Sequence, residues 1–249
     1  MLQNMPEWIE PDWPAPQTVQ ALSTTRIGGC SLPPWDSFNL GEHVGDIPEN
    51  VATNRSRLRV QARLPAEPLW LEQVHGCEVL VENGAACRAD ARFSRQAGEV
   101  CAVMTADCLP VLLCSNDGSA VAAVHAGWRG LAAGVLEQAL CCFERPASAI
   151  MAWLGPAIGQ DAFEVGAEVR EAFLKQNAQA EAAFVASDDG KWHADIYTLA
   201  RQRLQARDVT QVYGGDFCTY TDSRRFFSYR RDGCTGRMAS LIWLEDYDE

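Results

Sequence analysis

No apolar run in this chain approaches the ~18–20 residues needed to span a bilayer. Residues 1–14 hold no basic segment followed by an apolar stretch, so a secretory signal is not expected. The ten cysteines include no Cys-x-x-Cys pair, which leaves out the short paired spacings of structural zinc modules. Nothing directs the chain to an oxidising compartment, so reduced thiols and a cytoplasmic location are expected. Basic charge is scarce: 21 Lys and Arg stand against 33 Asp and Glu, for a net charge of -12. That balance offers no general footprint for nucleic acid, which is bound by neutralising many phosphates. Neither a nucleic-acid nor a membrane partner is expected, and there is no internal repeat or low-complexity segment. What is present is 249 residues, 47% hydrophobic, enough for one large domain over residues 1–249.

Local patterns predict an α/β (α+β) chain. Val19–Thr25 reads as a strand that breaks at Arg26-Ile27-Gly28-Gly29, and a Gly-, Pro- and Asn-rich loop follows. Asp46 and Pro48 mark a helix start, with the helix over Glu49–Leu64. Leu69–Leu80 reads as a strand or hairpin interrupted at His75-Gly76, and Glu82–Gly98 as an irregular excursion with a turn at Asn83-Gly84. Val100–Met104, Val111–Cys114 and Ala120–Val124 are three short strands, the last two joined at Asn116-Asp117-Gly118. A buried helix over Leu131–Phe143, a strand over Ile150–Leu154 and a helix over Gly166–Gln176 come next. A helix capped by Asp195 then runs through Arg207. Strands over Gln211–Phe217, Arg225–Tyr229 and Met238–Leu244 complete the reading. Hairpin strands mixed with helices predict a mixed β-sheet with helices packed on it. Cys101, Cys114, Cys141 and Cys142 lie inside apolar runs and read as small core residues.

Cys108 and His125 differ, because they stand at the ends of apolar runs, where strands give way to loops that present reactive side chains. His75 holds a similar position before Gly76. Two imidazoles and a thiol can make a tetrahedral metal site with its fourth position open, assembled from distant strands. The same residues also permit a Cys-His nucleophilic pair. The Gly127-Trp128-Arg129-Gly130 turn opens a helix whose free amides, with Arg129, suit an anion. Arg26 and the Arg230-Arg231 pair offer further anion contacts, or else structural ion pairs. Residues 224–237 concentrate arginine, as either a basic pocket or a solvated face. Trp128 reads as a packing residue, and Glu164 as an acid, a base or a loop contact.

Several segments occur in order along nearly the whole chain: Thr24-Thr25-Arg26 with Gly28-Gly29, Asn39-Leu40, His43-Val44-Gly45-Asp46 and Gln73-Val74-His75-Gly76; then Ala106-Asp107-Cys108-Leu109-Pro110, His125-Ala126-Gly127-Trp128-Arg129-Gly130 and Leu154-Gly155-Pro156 with Ile158-Gly159; then Glu164-Val165-Gly166, Cys218-Thr219 and Ser228-Tyr229-Arg230-Arg231. Together they resemble the multicopper polyphenol oxidase (laccase-domain) family, whose members are also called purine nucleoside phosphorylases or peptidoglycan editing factors. The resemblance implies a fold related to cytotoxic-necrotizing-factor-like cysteine hydrolases, with zinc held by His75, Cys108 and His125.

It also implies phosphorolysis of adenosine, inosine and methylthioadenosine, deamination of adenosine, and in bacterial relatives the removal of wrongly incorporated L-serine from a UDP-MurNAc cell-wall precursor. The expected partners are thus small molecules, a purine nucleoside with phosphate or a nucleotide-linked precursor. The catalytic set expected is His75, Cys108, His125 and Asp107, with Arg26, Asn39, Arg129 and Arg231 meeting substrate. Copper chemistry, implied by the oxidase label, needs many histidine ligands, and the chain has four histidines. An amidase using the same three residues and a non-catalytic metal-binding scaffold are the alternative readings.

Overall fold

The computed structural model describes residues 5–81 and 87–245. Two sheets form its centre. One has the order β1 (Trp8–Ile9), β2 (Val19–Thr24), β13 (Met238–Leu244), β5 (Val100–Thr105), all antiparallel. The other runs β12 (Gln211–Gly214), β8 (Ile150–Leu154), β6 (Leu109–Ser115), β7 (Val121–Ala126), β4 (Ala91–Ser94), β3 (Val79–Leu80). Its two edge pairs are parallel and its middle is antiparallel, so the sheet is mixed as expected.

The faces of these strands explain their unbroken apolar sequence. Cys101 and Val103 of β5 meet Leu112 and Cys114 of β6 and Ile242 of β13 in a core between the sheets. Ala102 and Met104 face the other way, onto Leu58 of α1 (Pro48–Gln61) and onto Phe38 and Leu40. Val111 and Leu113 pack beneath α3 (Val135–Cys141) and α5 (Ile196–Gln205), through Leu136, Leu199 and Leu204. Helix, sheet, sheet, helix is thus the layer order. Strands covered on both faces lose the in-out alternation of a half-exposed sheet, each buried Val or Leu contributing roughly 1.5–3 kcal/mol.

A small antiparallel sheet of β10 (Phe184–Ala186), β11 (Trp192–Ala194) and β9 (Glu164–Val165) flanks the helices α2 (Trp128–Ala133) and α4 (Ala167–Leu174). Asp195 caps α5 as expected, its Oδ1 accepting from the Tyr197 and Thr198 amides at 3.0 Å each. Among the described residues no helix is long and apolar enough to cross a membrane.

Five expectations need correction. Glu82–Gly98 is not irregular throughout, because Ala91–Ser94 is β4, paired antiparallel with β7. Leu131–Phe143 is not one helix, because Gly134, at φ 105°, separates α2 from α3. Arg225–Tyr229 is not a strand: Ser228 accepts a hydrogen bond from the Arg231 amide and caps the short α6 (Tyr229–Asp232). In Leu69–Leu80 only Val79–Leu80 is strand; before it Glu72 makes a lone bridge with Arg88, Gln73 reaches β5 through its side chain and the Val74 amide donates to Asp90, so no ladder forms. Cys141, in the last turn of α3, is exposed rather than core. The turn at Asn83-Gly84 lies outside the described residues.

Gly134→Ala should cost about 1–3 kcal/mol, the strain of a side chain in the left-handed region. Its Cβ would meet nothing nearer than 3.5 Å, so strain alone should set the loss, read as a lower urea midpoint at unchanged slope.

Candidate metal site

Chain connectivity places the three predicted ligands together. Between β5 and β6 the chain leaves one sheet for the other through Ala106-Asp107-Cys108. Asp107 takes φ 99° there. Its carboxylate holds that conformation: Oδ1 accepts from the Thr219 hydroxyl at 2.6 Å and Oδ2 from the Arg230 amide at 2.7 Å. Cys108 follows directly, immediately before β6. His125 is near the end of β7, with its partner Pro110 on β6.

His75 comes from an irregular segment stitched to both sheets. The Gln73 amide clamps the end of β5, donating from Nε2 to Met104 O at 2.8 Å and accepting the Met104 amide at 2.7 Å. Asp90, fully buried just before β4, gathers the rest. Its Oδ1 accepts from the His75 amide at 2.9 Å and lies 2.8 Å from His125 Nδ1. Its Oδ2 accepts from the Gly76 amide at 2.6 Å and the Val74 amide at 3.2 Å. One carboxylate therefore sets the backbone of one histidine, at φ 61°, and the ring of the other. With Nδ1 committed to Asp90, His125 presents Nε2 to the site.

The ligand atoms of His75, Cys108 and His125 all lie within 4.8 Å of one another, and Cys108 Sγ is 3.7 Å from His75 Nε2. The imidazoles meet edge to face at 4.8 Å between centroids. Gly127 gives them room, since a Cβ there would stand 2.8 Å from the His75 ring and 3.1 Å from Cys108 Sγ. The electrostatics follow from this crowding. Burial pushes the Cys108 thiol up, but the charge of His125 and the hydrogen bonds from both histidines bring it down to about 6. Burial pulls His125 down, but the Cys108 thiolate and the bond to Asp90 carry it to about 9.

These residues line a cavity of about 740 Å³ with His43, Arg55, Trp70, Gln73, Met104, Tyr229 and Arg237 among its walls. The four residues expected to meet substrate do not line it. Arg26 bonds to Asp36 and Ser223 and stacks on Phe227. Arg231 spends its donors on the carbonyls of Thr219, Tyr220 and Phe226 and on Asp232. Arg129 is exposed and lies over the Trp128 ring. Asn39 is fully buried, bonded to Gly41, Asp46 and the Arg237 amide. Glu164 pairs with Lys191 away from the cavity.

Asp107, expected among the catalytic residues, has both carboxylate oxygens engaged in holding the turn before Cys108. Gly130 admits the His75 loop, because a Cβ there would meet Gly76 O at 2.7 Å. Asp90, Gln73, His43 and Arg55 were not expected at the site, whereas Arg237 belongs to the arginine concentration over 224–237, for which a basic pocket was one reading. For Gln73 and His43 the signal was their place inside recurring segments; for Asp90 a lone Asp before a short strand offers none.

A family model described as multi-copper polyphenol oxidoreductase laccase matches residues 20–245. The chain belongs to this family. It is 60% identical over 243 residues to a protein of Escherichia coli (strain K12) named purine nucleoside phosphorylase YfiH, covering 96% of this chain and all of that one. A Pseudomonas aeruginosa protein named as a purine nucleoside phosphorylase is 54% identical, covering 97% of this chain and 100% of that protein. The crystal structure of a Neisseria meningitidis protein superposes with a TM-score of 0.92 at 50% identity, covering 96% of this chain and 99% of that one.

Asp90→Asn replaces two oxygens that accept four donors with one oxygen and an NH₂ group, and should destabilise the protein by about 3 kcal/mol. Affinity for added zinc should fall about 10–100-fold. Burial raises the Asp90 carboxyl, but bonds from His125, Gly76 and Val74 and the charge of His125 hold it below the usual range. Its stabilisation is therefore full above the unfolded value of about 3.9 and lost as pH falls through the folded one. Chemical denaturation across acid pH should show a steeper acid limb in the wild type than in Asp90→Asn.

In metal-free protein, the ultraviolet thiolate absorbance missing from Cys108→Ser should titrate with a midpoint of about 6. His125→Ala should move that midpoint up toward the ordinary thiol range.

Proposed function

We propose that the chain is a zinc-dependent purine nucleoside phosphorylase acting in the cavity around His75, Cys108 and His125. The observation that carries this reading is the imidazole–thiolate–imidazole set, converging in a roomy cavity of a chain 60% identical to a protein bearing that name. Thiolate with imidazole suits zinc. The 3.7 Å from Cys108 Sγ to His75 Nε2 is close to the ~3.6 Å that Zn–S and Zn–N bonds of ~2.3 and ~2.0–2.1 Å span at a tetrahedral angle. The set does not fit a multicopper centre, which needs several metal sites; among the described residues this is the one such group. Bound zinc with an open position supplies a Lewis acid for a phosphate or water oxygen.

The chain's own residues provide the rest. Asp90 keeps the His125 ring oriented, Cys108 is held as thiolate, and Trp70, Met104 and Tyr229 offer apolar and aromatic walls for a purine. In phosphorolysis a phosphate oxygen forms its bond to ribose C1′ as the bond to N9 breaks. Adenosine, inosine and methylthioadenosine share that bond; deamination of adenosine is a separate step, in which water adds at purine C6 and the amino group leaves as ammonia to give inosine. Asp107 shuttles no proton in this scheme, its oxygens being occupied.

A second reading is favoured by one feature, the line Asp90–His125–Cys108. It has the order of a Cys-His-Asp nucleophilic set, which would let the thiolate attack an amide carbonyl of a cell-wall precursor carrying L-serine. Product analysis separates the readings. Incubation of zinc-loaded protein with inosine and phosphate should yield hypoxanthine and ribose 1-phosphate, with no turnover by Cys108→Ala or His75→Ala. A chelator should abolish activity and zinc should restore it. Free serine released from the UDP-MurNAc precursor by metal-free protein would replace this proposal with the amidase, and inactivity on both substrates would leave a metal-binding scaffold.

A further inference from the structure

Three basic side chains line the cavity that holds the His-Cys-His set: His43, Arg55 and Arg237. Arg55 is neutralised where it stands. Its Nη1 pairs with Glu42 at 2.7 Å, its Nε and Nη2 donate to Leu40 O, and its guanidinium lies 4.3 Å from the Trp70 ring centroid. Arg237 differs. Only its Nη1 is bonded, to the carbonyls of Thr235 and Gly236 at 3.1 and 3.0 Å, and no carboxylate lies within ion-pair distance among the described residues.

The rest of Arg237 is held firmly. Its amide donates to Oδ1 of the buried Asn39 at 2.9 Å, and its Cγ occupies the space that a side chain on Gly41 would need, 2.8 Å from the Cβ position. Asn39 also fixes Gly41 from both sides, accepting from its amide and donating to its carbonyl. A half-buried guanidinium without a counter-ion is costly to keep, and its planar fork matches the oxygens of a tetrahedral oxyanion.

We propose that Arg237, with His43 beside it, is the subsite for inorganic phosphate, the co-substrate of the phosphorolysis proposed above, on which this inference rests. Adenosine and inosine are uncharged, so phosphate is the one anion in that reaction and the one reactant that needs a cation. The negative charges of Cys108 and Asp107 act on Arg237, and without a cation on that side they would repel phosphate from the cavity. Burial and the charges of Arg237 and Arg55 hold His43 below its ordinary value. It is therefore neutral at pH 7 and offers an N–H without adding to the repulsion between the two guanidiniums.

The test is calorimetric titration of inorganic phosphate into metal-free and zinc-loaded protein, with steady-state kinetics on the zinc-loaded form. Wild type, Arg237→Met, Arg237→Lys and His43→Ala are compared, with Arg145→Met as a surface control of equal charge change. Arg237→Met should weaken phosphate binding about 10–100-fold in both forms, Arg237→Lys should weaken it less, and the control should match wild type. The KM for phosphate should rise by a similar factor while that for inosine stays within about twofold. Unchanged phosphate binding in Arg237→Met, no binding to wild type, or a rise confined to the inosine KM would each overturn the subsite. Should wild type bind phosphate through Arg237 yet cleave no nucleoside, the subsite stands and the phosphorylase reading falls. Arg237→Lys keeps the stem packed on Gly41, so a folding failure confined to Arg237→Met leaves the comparison decisive.

Discussion

The carboxylate of Asp90 is the constraint on which the site depends. Four donors from two separate segments converge on its two oxygens, three of them backbone amides and one the ring of His125. A buried carboxylate is tolerated only when its hydrogen-bonding capacity is met in this way. Meeting it forces residues 74–76 into a tight turn around the charge, and that turn carries the His75 ring against the thiol. The Asp90 carbonyl also accepts the His125 amide at 2.7 Å, so backbone and side chain of one residue hold both histidines. Conversely, the His75 loop has few ladder bonds of its own, and the carboxylate stands in for the strand pairing it lacks.

The layered fold explains why the site falls where it does. Strands β5 and β6 lie in different sheets, yet only Ala106, Asp107 and Cys108 join them. So short a crossing requires a sharp reversal, and Asp107 supplies it with a left-handed backbone anchored by Thr219 and by the start of α6. The residue after the reversal emerges at the rim shared by both sheets. Loops from either sheet can reach that rim, which is how ligands separated by 33 and 17 positions meet without a local motif. Backbone strain is thus located where a side chain must be aimed.

What could be read from the sequence sorts by physical range. The helix starting near Pro48, the cap at Asp195, the hairpin at Asn116-Asp117-Gly118 and strands β2, β5, β6, β7, β8, β12 and β13 follow from neighbours a few residues apart, and they were legible; the short β1 and β4 were not. The trio was legible for a similar reason, since Cys108 and His125 stand at the ends of apolar runs. The surroundings of the arginines were not legible, because charge alone does not tell a donor spent on carbonyls from one facing a cavity. Arg231 and Arg237 are six residues apart and chemically identical, but the α6 cap turns one onto Thr219, Tyr220 and Phe226, while Asn39, 198 positions away, fixes the other. Asp90 was missed because all the hydrogen-bond partners of its carboxylate lie 14 to 35 residues away. The single helix expected over 131–143 failed on one glycine, whose positive φ no periodicity can reveal.

The trio's electrostatics tie its two conceivable chemistries together. With the Cys108 thiol near 6 and His125 near 9, the metal-free site at neutral pH is a thiolate beside an imidazolium. Asp90 stabilises the imidazolium, and a cation in place of that proton meets the same negative surroundings. A metal ion taken up through His125 Nε2 would therefore displace one proton, and the thiolate needs none removed. A metal and a proton compete for one seat, so acid favours the nucleophile pair and alkali favours the metal centre. The guanidinium of Arg237, free of any carboxylate among the described residues and close enough to feel the charge of Cys108, suits an anionic reactant in either chemistry: phosphate at the metal centre, the carboxylate or diphosphate of a nucleotide-linked precursor at the nucleophile pair.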